Sequence, residues 1–563
     1  MIIIDWLIVA AVLVVILFGG FYAAKKNSDD KEGFFLAGRN MPWWLLGLSM
    51  VATTFAADTP NLVTGLVRQY GIAGNWLWWS FLITGLLTTF IYAKLWRRLG
   101  VVTDVEFYEV RYSGKIAKLL RGFRAIYLGV FFNVMIMASV TLAAIKIGTV
   151  LLGVDAIVVV VIAGLFAVVF STVGGFLAVL LTDALLFFLA MAGAMIAAYF
   201  AVNHPQVGGL QALVSAPELS EKWHFLPDFS DPNQYVPLLL IPLVLQWWSV
   251  WYPGSEPGGG GYIAQRMLAA KNERHAVAAS AFFNLCHYAV RPWPWILVAM
   301  ASLLVFPDLE SLRVAFPHVP EHLVQQDLAY SAMLSFLPAG ILGLVVASIV
   351  AAYISTISTS LNWGASYVVN DFYLRFVNPE ANSHRQVLIG RISSVLLMIA
   401  AGIIALFLES AMQAFQILLS IGAGTGLLFM MRWFWLRINA YSELAAMIAS
   451  FVITMILQFG PFEALLDWQK LLLTVAFSTA IWVLVTLLTP ACEPQCLASF
   501  QTKINSKKPE IQHGLMMTLL SLLFIYGVLF TTGYLLMGLY TMAALIMVVA
   551  VALPGFIMFF KRT

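Results

Sequence analysis

Apolar runs of about 20 residues, the length at which a helix crosses roughly 30 Å of hydrocarbon, recur along the whole chain between short polar, basic or proline-containing stretches. They predict helical spans near 3–22, 42–67, 76–95, 125–151, 155–172, 179–203, 236–253, 278–305, 336–365, 391–408, 411–431, 438–459, 470–488, 514–533 and 536–559, about fifteen in total. Two spans are interrupted. The first contains Asp58-Thr59-Pro60-Asn61, and the one opening at 236 runs into Pro253-Gly254-Ser255-Glu256-Pro257 and then Gly258 to Gly261. Proline and glycine break helical hydrogen bonding and lipid cannot replace the lost bonds, so both breaks are expected to line a buried polar cavity. Each also opens a block of five spans, 42–203 and 236–431, and five crossings give the second block the opposite orientation to the first, as in an inverted-topology transporter repeat.

Composition strengthens the membrane reading. With 61% hydrophobic residues, 10% charged residues and a mean hydropathy of +0.89, the chain has too little polar surface to coat a soluble globule of 563 residues. The net charge of +3 gives no support to nucleic-acid binding. Lys and Arg collect in alternate loops: Lys25, Lys26, Lys31 and Arg39, then Lys94 through Arg124, then Arg266, Lys271 and Arg274, and onward to Lys561 and Arg562. That side is expected to be cytoplasmic, which places the N-terminus outside, the C-terminus inside and the chain in the inner cell membrane. Loops 204–235 and 306–335, poor in basic residues, are expected outside. The first run lacks a basic flank and a clear cleavage site, so it is expected to be a retained span. Cys286, Cys492 and Cys496 read as ordinary thiols.

The densest candidate chemistry is Ala351-Ala352-Tyr353-Ile354-Ser355-Thr356-Ile357-Ser358-Thr359-Ser360. Hydroxyls at that density inside a membrane segment suit a dehydrated hard monovalent cation better than lipid, which points to an ion-coupled transporter. The ordinary alternative is that these side chains satisfy carbonyls one turn back. Ala352, Ser355 and Thr356 share one helix face. Asp58, Asp183 and Glu256 are carboxylates at membrane depth and require partners. Gln246, Trp247, Trp248, Trp251 and Tyr252 offer faces on which a solute can stack, or interfacial anchors. Asn284, His287 and Arg291 recur on one helix face, and Arg291 is expected in a structural ion pair with Asp58 or Glu256, a substrate carboxylate being the alternative. Lys146 is expected to snorkel to the outer surface. The glycine run lacks the Gly-Lys-Ser/Thr of a phosphate loop.

Several stretches in order carry a resemblance. They are Gly38-Arg39-Asn40-Met41-Pro42-Trp43-Trp44, Ser49 to Ala57 with Gly65, Gly174-Gly175 leading to Thr182-Asp183, Gln265 to Asn272, Ala352 to Asn362 with Asp371, and Gly422-Ala423-Gly424-Thr425-Gly426 with Arg437-Ile438-Asn439. The chain resembles the sodium:solute symporter family, which includes bacterial sodium/proline, sodium/galactose and sodium/sialic acid carriers. That resemblance implies an all-α polytopic membrane protein with a leucine-transporter-like core of two inverted five-helix repeats. Its organisation would be an extra helix at 1–24, repeat one at 38–203, an external loop at 204–235, repeat two at 236–437 and four added helices at 438–563. It also implies a Na+ site from the carbonyls of Ala52, Phe55 and Ala352 and the hydroxyls of Ser355 and Thr356. A second Na+ site would use Asp183, Ser355, Ser358 and Thr359. Substrate-contacting residues would include Asp58 and Thr59; Trp251 and Glu256 join them from the second break, which is longer and richer in glycine than the family pattern.

The expected function is sodium-coupled import of a small polar organic solute by alternating access, with no protein or nucleic-acid partner implied. Proton coupling through Asp58 or Glu256 is the alternative within transport. A non-transporting solute sensor would need an output domain, for which Lys561-Arg562-Thr563 leaves no room, and an enzyme would need a nucleophile-base pair or metal cluster that the histidine spacing does not supply.

Overall fold

The structure, a computed structural model, describes residues 1–24, 39–101, 103–171, 176–250, 256–462 and 464–560. In chain order it begins with α1 (Ile3–Ala24), α2 (Trp43–Thr54), α3 (Thr59–Tyr70), α4 (Ile72–Leu99), α5 (Gly114–Leu152), α6 (Ala156–Ser171) and α7 (Phe176–Val202). A loop of short helical turns leads to α8 (232–244), α9 (Gly261–Ala269), α10 (Glu273–Val305), α11 (Leu328–Leu334), α12 (Ile341–Val377), α13 (Ser383–Ala405) and α14 (Ala411–Met431). The chain continues through α15 (Ala440–Phe459), α16 (Asp467–Leu488), α17 (Pro494–Ile504), α18 (Lys508–Leu536) and α19 (Tyr540–Phe560). Among the described residues there is no strand, only an isolated bridge between Met41 and Ala270 that ties the entry of α2 to the exit of α9. Ten of these helices are long and apolar enough to cross a membrane: α4, α5, α7, α10, α12 to α16 and α18.

Burial ranks the helices. The most apolar stretch of α12 is 83% buried, against 33% for those of α13 and α16, so the hydroxyl-bearing helix runs through the centre while the other two face outward. Asp5 of α1 fixes where α12 starts, because its Oδ1 accepts from the Gly340 and Gly343 amides at 2.6 and 3.0 Å. A carboxylate at a helix N-terminus answers amides that have no intrahelical partner and opposes the helix dipole. The glycines of α14 are equally local in purpose. A Cβ on Gly422 or Gly426 would overlap the Val250 or Trp248 carbonyl, and one on Gly424 would meet the hydroxyls of Ser450 and Ser478. Their spacing lets the distorted end of the α8 segment lie directly on the α14 backbone.

Both expected breaks are present, with shifted positions. The first occupies residues 55–58, and Pro60 opens α3 rather than causing the break, since an N-terminal proline sacrifices no helical hydrogen bond. The second begins earlier than expected, where the helix ends at Val244 and a single turn at Gln246–Trp248 follows. The glycine run then has a plain conformational reason: Gly258, Gly259 and Gly261 have φ of +86°, +84° and +51°. Trp96 Nε1 donates to the Gly258 carbonyl at 2.6 Å across that tight path.

Basic residues are not confined to loops. Arg68, Arg111, Arg124, Arg266, Arg291 and Arg432 are buried, and so is Lys146. Instead of snorkelling, Lys146 Nζ contacts Asp327 Oδ1 at 2.6 Å with both side chains at 3% exposure or less. Asp327 Oδ2 also accepts from the Ala411 amide at 3.1 Å, so the pair joins α5, the start of α11 and the N-terminus of α14. The aliphatic stem was long enough for a surface, but a carboxylate lay closer. Lys146→Met should therefore strand Asp327 and cost about 3–5 kcal/mol of stability. Thermal unfolding in detergent checks this, and Lys146→Met/Asp327→Leu should recover much of the loss.

Candidate functional site

The broken helix supplies backbone. At the end of α2, Phe55 leaves helical geometry (φ −88°, ψ 74°) and its amide donates to the Ala52 carbonyl at 3.0 Å. The helix resumes with Thr59, whose amide donates to Ala56 at 3.2 Å. The ring of Phe55 is engaged by Trp295, with centroids 5.1 Å apart, and by the Arg291 guanidinium 5.5 Å away. What Phe55 can offer elsewhere is therefore its carbonyl.

The hydroxyls of α12 divide by partner. Ser355 Oγ donates to Asp183 Oδ1 at 2.7 Å, and Ser358 Oγ donates to the Ser355 carbonyl at 3.2 Å. Ser358 thus makes the local bond expected of a serine in a membrane helix. Thr356 Oγ1 and Thr359 Oγ1 make none: both are buried with no hydrogen-bond partner among the described residues. Hydroxyl oxygens left open in a buried site are an expense that a coordinated ion would remove. Thr356 faces the cavity beside the broken helix; Ser360 lines the same space and its carbonyl accepts from Asn133 Nδ2 at 2.7 Å.

Asp183 is the hub between α2, α7, α9 and α12. Its Oδ2 accepts from Ser49 Oγ at 2.7 Å and from Thr53 Oγ1 at 3.3 Å, and Arg266 Nη2 stands 3.5 Å away. Arg266 also reaches Ser49 Oγ and Thr53 Oγ1, each at 3.1 Å. Sequence reasoning placed Asp183, but it missed Ser49, Thr53 and Arg266 as its partners. The signal was available in part, since all three lie inside the motif stretches at 49–57 and 265–272.

A cavity opens against the break. Asp58, Thr59, Ser139, Tyr262, Trp363 and Phe415 contribute to its wall. Ser139 Oγ donates to Asp58 Oδ2 at 2.5 Å. Asp58 and Thr59 line the same cavity as Thr356. Glu256 does not: it pairs with Arg124 on α5, both 1% exposed, away from this wall. Trp251 lies outside the described residues.

Of the two carboxylates expected beside Arg291, Glu256 pairs with Arg124 and Asp58 feels the Arg291 field. Arg291 Nη1 donates to the Thr54 carbonyl at 2.8 Å, and Thr54 Oγ1 lies 3.2 Å from His287 Nδ1. Arg291 and His287 therefore grip the last turn of α2, directly before the break, while the field of Arg291 reaches Asp58. A broken helix does not finish its own carbonyl bonds, which is why a guanidinium from α10 is seated there.

A bundle of apolar helices around a helix break, a cavity and an internally matched carboxylate has the make-up of a polytopic membrane transporter. Residues 34–450 match the sodium:solute symporter family, and the chain belongs to it, with Na+ as its coupling ion. It is 27% identical over 475 residues to the sodium/glucose cotransporter of Vibrio parahaemolyticus, covering 81% of this chain and 85% of that protein. It is 25% identical to sodium/glucose cotransporter 1 of Oryctolagus cuniculus (75% and 66% of the two chains) and 26% identical to sodium/myo-inositol cotransporter 2 of Bos taurus (72% and 62%). The chain thus spans less than two thirds of those two animal relatives. Its fold is similar to that of a Na+-coupled sialic acid symporter, solved in a substrate-bound outward-open state, with a TM-score of 0.67 at 19% identity over 87% of this chain and 98% of the other.

Arg266→Met should leave Asp183 buried against hydroxyls alone and lower stability by about 3–5 kcal/mol. Arg266→Met/Asp183→Asn should be more stable than the single variant. Thermal melts of the purified proteins, compared at one lipid and salt composition, decide the order.

Proposed function

We propose that this chain imports a small, neutral, polyhydroxylated solute together with Na+ by alternating access. The observation that carries the reading is the unpartnered Thr356 hydroxyl, set between the helix break and the cavity that opens against it. Na+ is held by the carbonyls of Ala52, Phe55 and Ala352 and the hydroxyls of Ser355 and Thr356. The ion pins α2 to α12 and stabilises the state in which the cavity is competent to bind, so each ligand raises the affinity of the other. The core consists of inverted repeats at 38–203 and 236–437, with fifteen crossings in total, the N-terminus outside and the C-terminus in the cytoplasm.

Solute chemistry follows from the cavity wall. Asp58, held by Ser139, accepts hydrogen bonds, Thr59 exchanges them, and Tyr262, Trp363 and Phe415 present faces to the apolar side of a ring. A sugar or cyclic polyol matches that wall, whereas an acid would meet the Asp58 charge. The names of the glucose and myo-inositol relatives agree with this assignment. A second Na+ at Asp183, Ser355, Ser358 and Thr359 is compatible with the open Thr359 oxygen, but requires Arg266 to yield part of the carboxylate.

Ser355→Ala/Thr356→Ala should abolish Na+-driven uptake in proteoliposomes, and unchanged uptake would remove these residues from the site. Asp58→Asn should raise the KM for a transported sugar by about tenfold to a hundredfold, the loss of a hydrogen bond to a charged group, while sparing Na+ binding. The rival reading is proton coupling through Asp58, the carboxylate that faces the cavity. Uptake driven by a pH gradient in Na+-free buffer would establish it in place of Na+.

A further inference from the structure

Along α5 the cavity wall runs from Ser139, which holds Asp58, to Asn133, six residues or about 9 Å away along the helix axis. Along α12 it runs from Thr356 to Ser360 and then Trp363, at the spacing of one helix face. The cavity therefore has a second polar end, separate from the one at the helix break. That end is built on a close helix crossing. A Cβ on Gly364 of α12 would collide with Asn133 Nδ2 and with the Gly129 carbonyl of α5, so the two backbones meet there without an intervening side chain.

The crossing fixes the Asn133 amide. Its Nδ2 donates to the Ser360 carbonyl at 2.7 Å and to the Gly129 carbonyl at 3.2 Å. Two carbonyl acceptors admit only the NH2 end, so Oδ1 is turned away from both, and it receives no hydrogen bond among the described residues. Ser360 divides in the same way: its carbonyl serves Asn133, while its hydroxyl makes no hydrogen bond among the described residues. Both oxygens keep surface open to the cavity. Because both amide hydrogens of Asn133 are spent on carbonyls, that side chain offers the cavity lone pairs alone, which suits a cation.

Ser360 lies one helical turn from Thr356, so an ion leaving the α2–α12 site along this face of α12 reaches the Ser360 hydroxyl next. An amide oxygen and a hydroxyl are hard ligands for Na+, and being neutral they hold it weakly enough to let it go. Farther along, Trp363 packs on Tyr367 with ring centroids 4.6 Å apart, Tyr367 donates to Asp104, and Asp104 Oδ2 accepts from the Gly261 amide at 2.8 Å. Asp104 belongs to the turn before α5, in the basic 94–124 segment, so this end of the cavity points to the side where import delivers its cargo.

We propose that Asn133 Oδ1 and Ser360 Oγ form a transit site for Na+, entered when the ion leaves Ala52, Phe55, Ala352, Ser355 and Thr356 for the cytoplasm. The site rests on import of Na+ with a solute through this cavity. It gives Asn133 two tasks, a clamp at the helix crossing through Nδ2 and an ion ligand through Oδ1.

Ser360→Ala separates the two tasks, because it removes the open hydroxyl and keeps the carbonyl that the clamp needs. Ser360→Thr restores a hydroxyl. Right-side-out vesicles carrying the full chain are given each sugar of a panel of glucose, galactose and myo-inositol, and uptake is followed at graded external and internal Na+. Ser360→Ala should raise about threefold to tenfold the internal Na+ concentration that halves uptake, the scale of one neutral polar contact, and should leave the external Na+ requirement unchanged. Ser360→Thr should return the internal value to that of the unaltered chain. Unchanged internal Na+ dependence in a Ser360→Ala protein that remains folded by size exclusion would overturn the site. So would equal shifts on both sides of the membrane, which would put Ser360 in the first ion site. A shift in the response to internal sugar with none to internal Na+ would give the seat to the solute and also overturn it. Absence of Na+-driven uptake of every panel sugar by the unaltered chain would instead strike the import reading, and the transit site with it.

Discussion

Hydrocarbon offers no hydrogen bonds, so each polar group carried across the membrane must be answered from inside the protein, and the architecture follows from that constraint. The break at residues 55–58 exposes backbone that a continuous helix would have satisfied. Arg291 and His287 answer the end of α2, Asp183 gathers Ser49, Thr53 and Ser355, and Arg266 balances its charge. Buried oxygens left open include those of Thr356 and Thr359 on α12 and those of Asn61 and Thr64 on α3.

The same constraint shapes the far side of α5. Arg124 pairs with Glu256 while its guanidinium lies 4.7 Å from the Phe429 ring centre, and Arg432 Nη1 lies 3.2 Å from Glu443 Oε2 and 3.0 Å from the Tyr108 hydroxyl oxygen. Tyr112 donates to Glu443, and Asp104 accepts from Tyr367 and from the Gly261 amide. The glycine-rich segment is thereby fastened to α5, α12 and the turn before α5. A chain that alternates access must exchange such contacts for others of similar energy, since a buried ion separated from its partner has no solvent to fall back on.

How much was legible in the residues varies with the range of the interaction. Hydropathy placed helix in each expected range because membrane length is a local requirement, met by about 20 consecutive residues. The shared face of Ala352, Ser355 and Thr356 was equally local, and Asp58 and Thr59 sit on the cavity as their place at the break implied. Charge partners were not legible. Lys146, expected at the surface, pairs with Asp327; Arg291 donates to the Thr54 carbonyl while its field reaches Asp58, one of its two expected partners; and Glu256, the other, pairs with Arg124. Each error concerns a long side chain whose nearest counter-group is remote in sequence, so spacing along the chain carries no information about it.

By itself, the sequence determined a polytopic helical bundle, two broken helices and a hydroxyl-rich face, because segment length, glycine, proline and helical periodicity act within a few turns. Tertiary structure alone decided which hydroxyls are spent on local bonds and which remain open, and which arginine sits beside Asp183. It also decided that Glu256 serves the scaffold rather than the cavity. Those outcomes depend on how helices far apart in sequence meet, and in a medium without water the nearest internal partner takes every polar group it can reach.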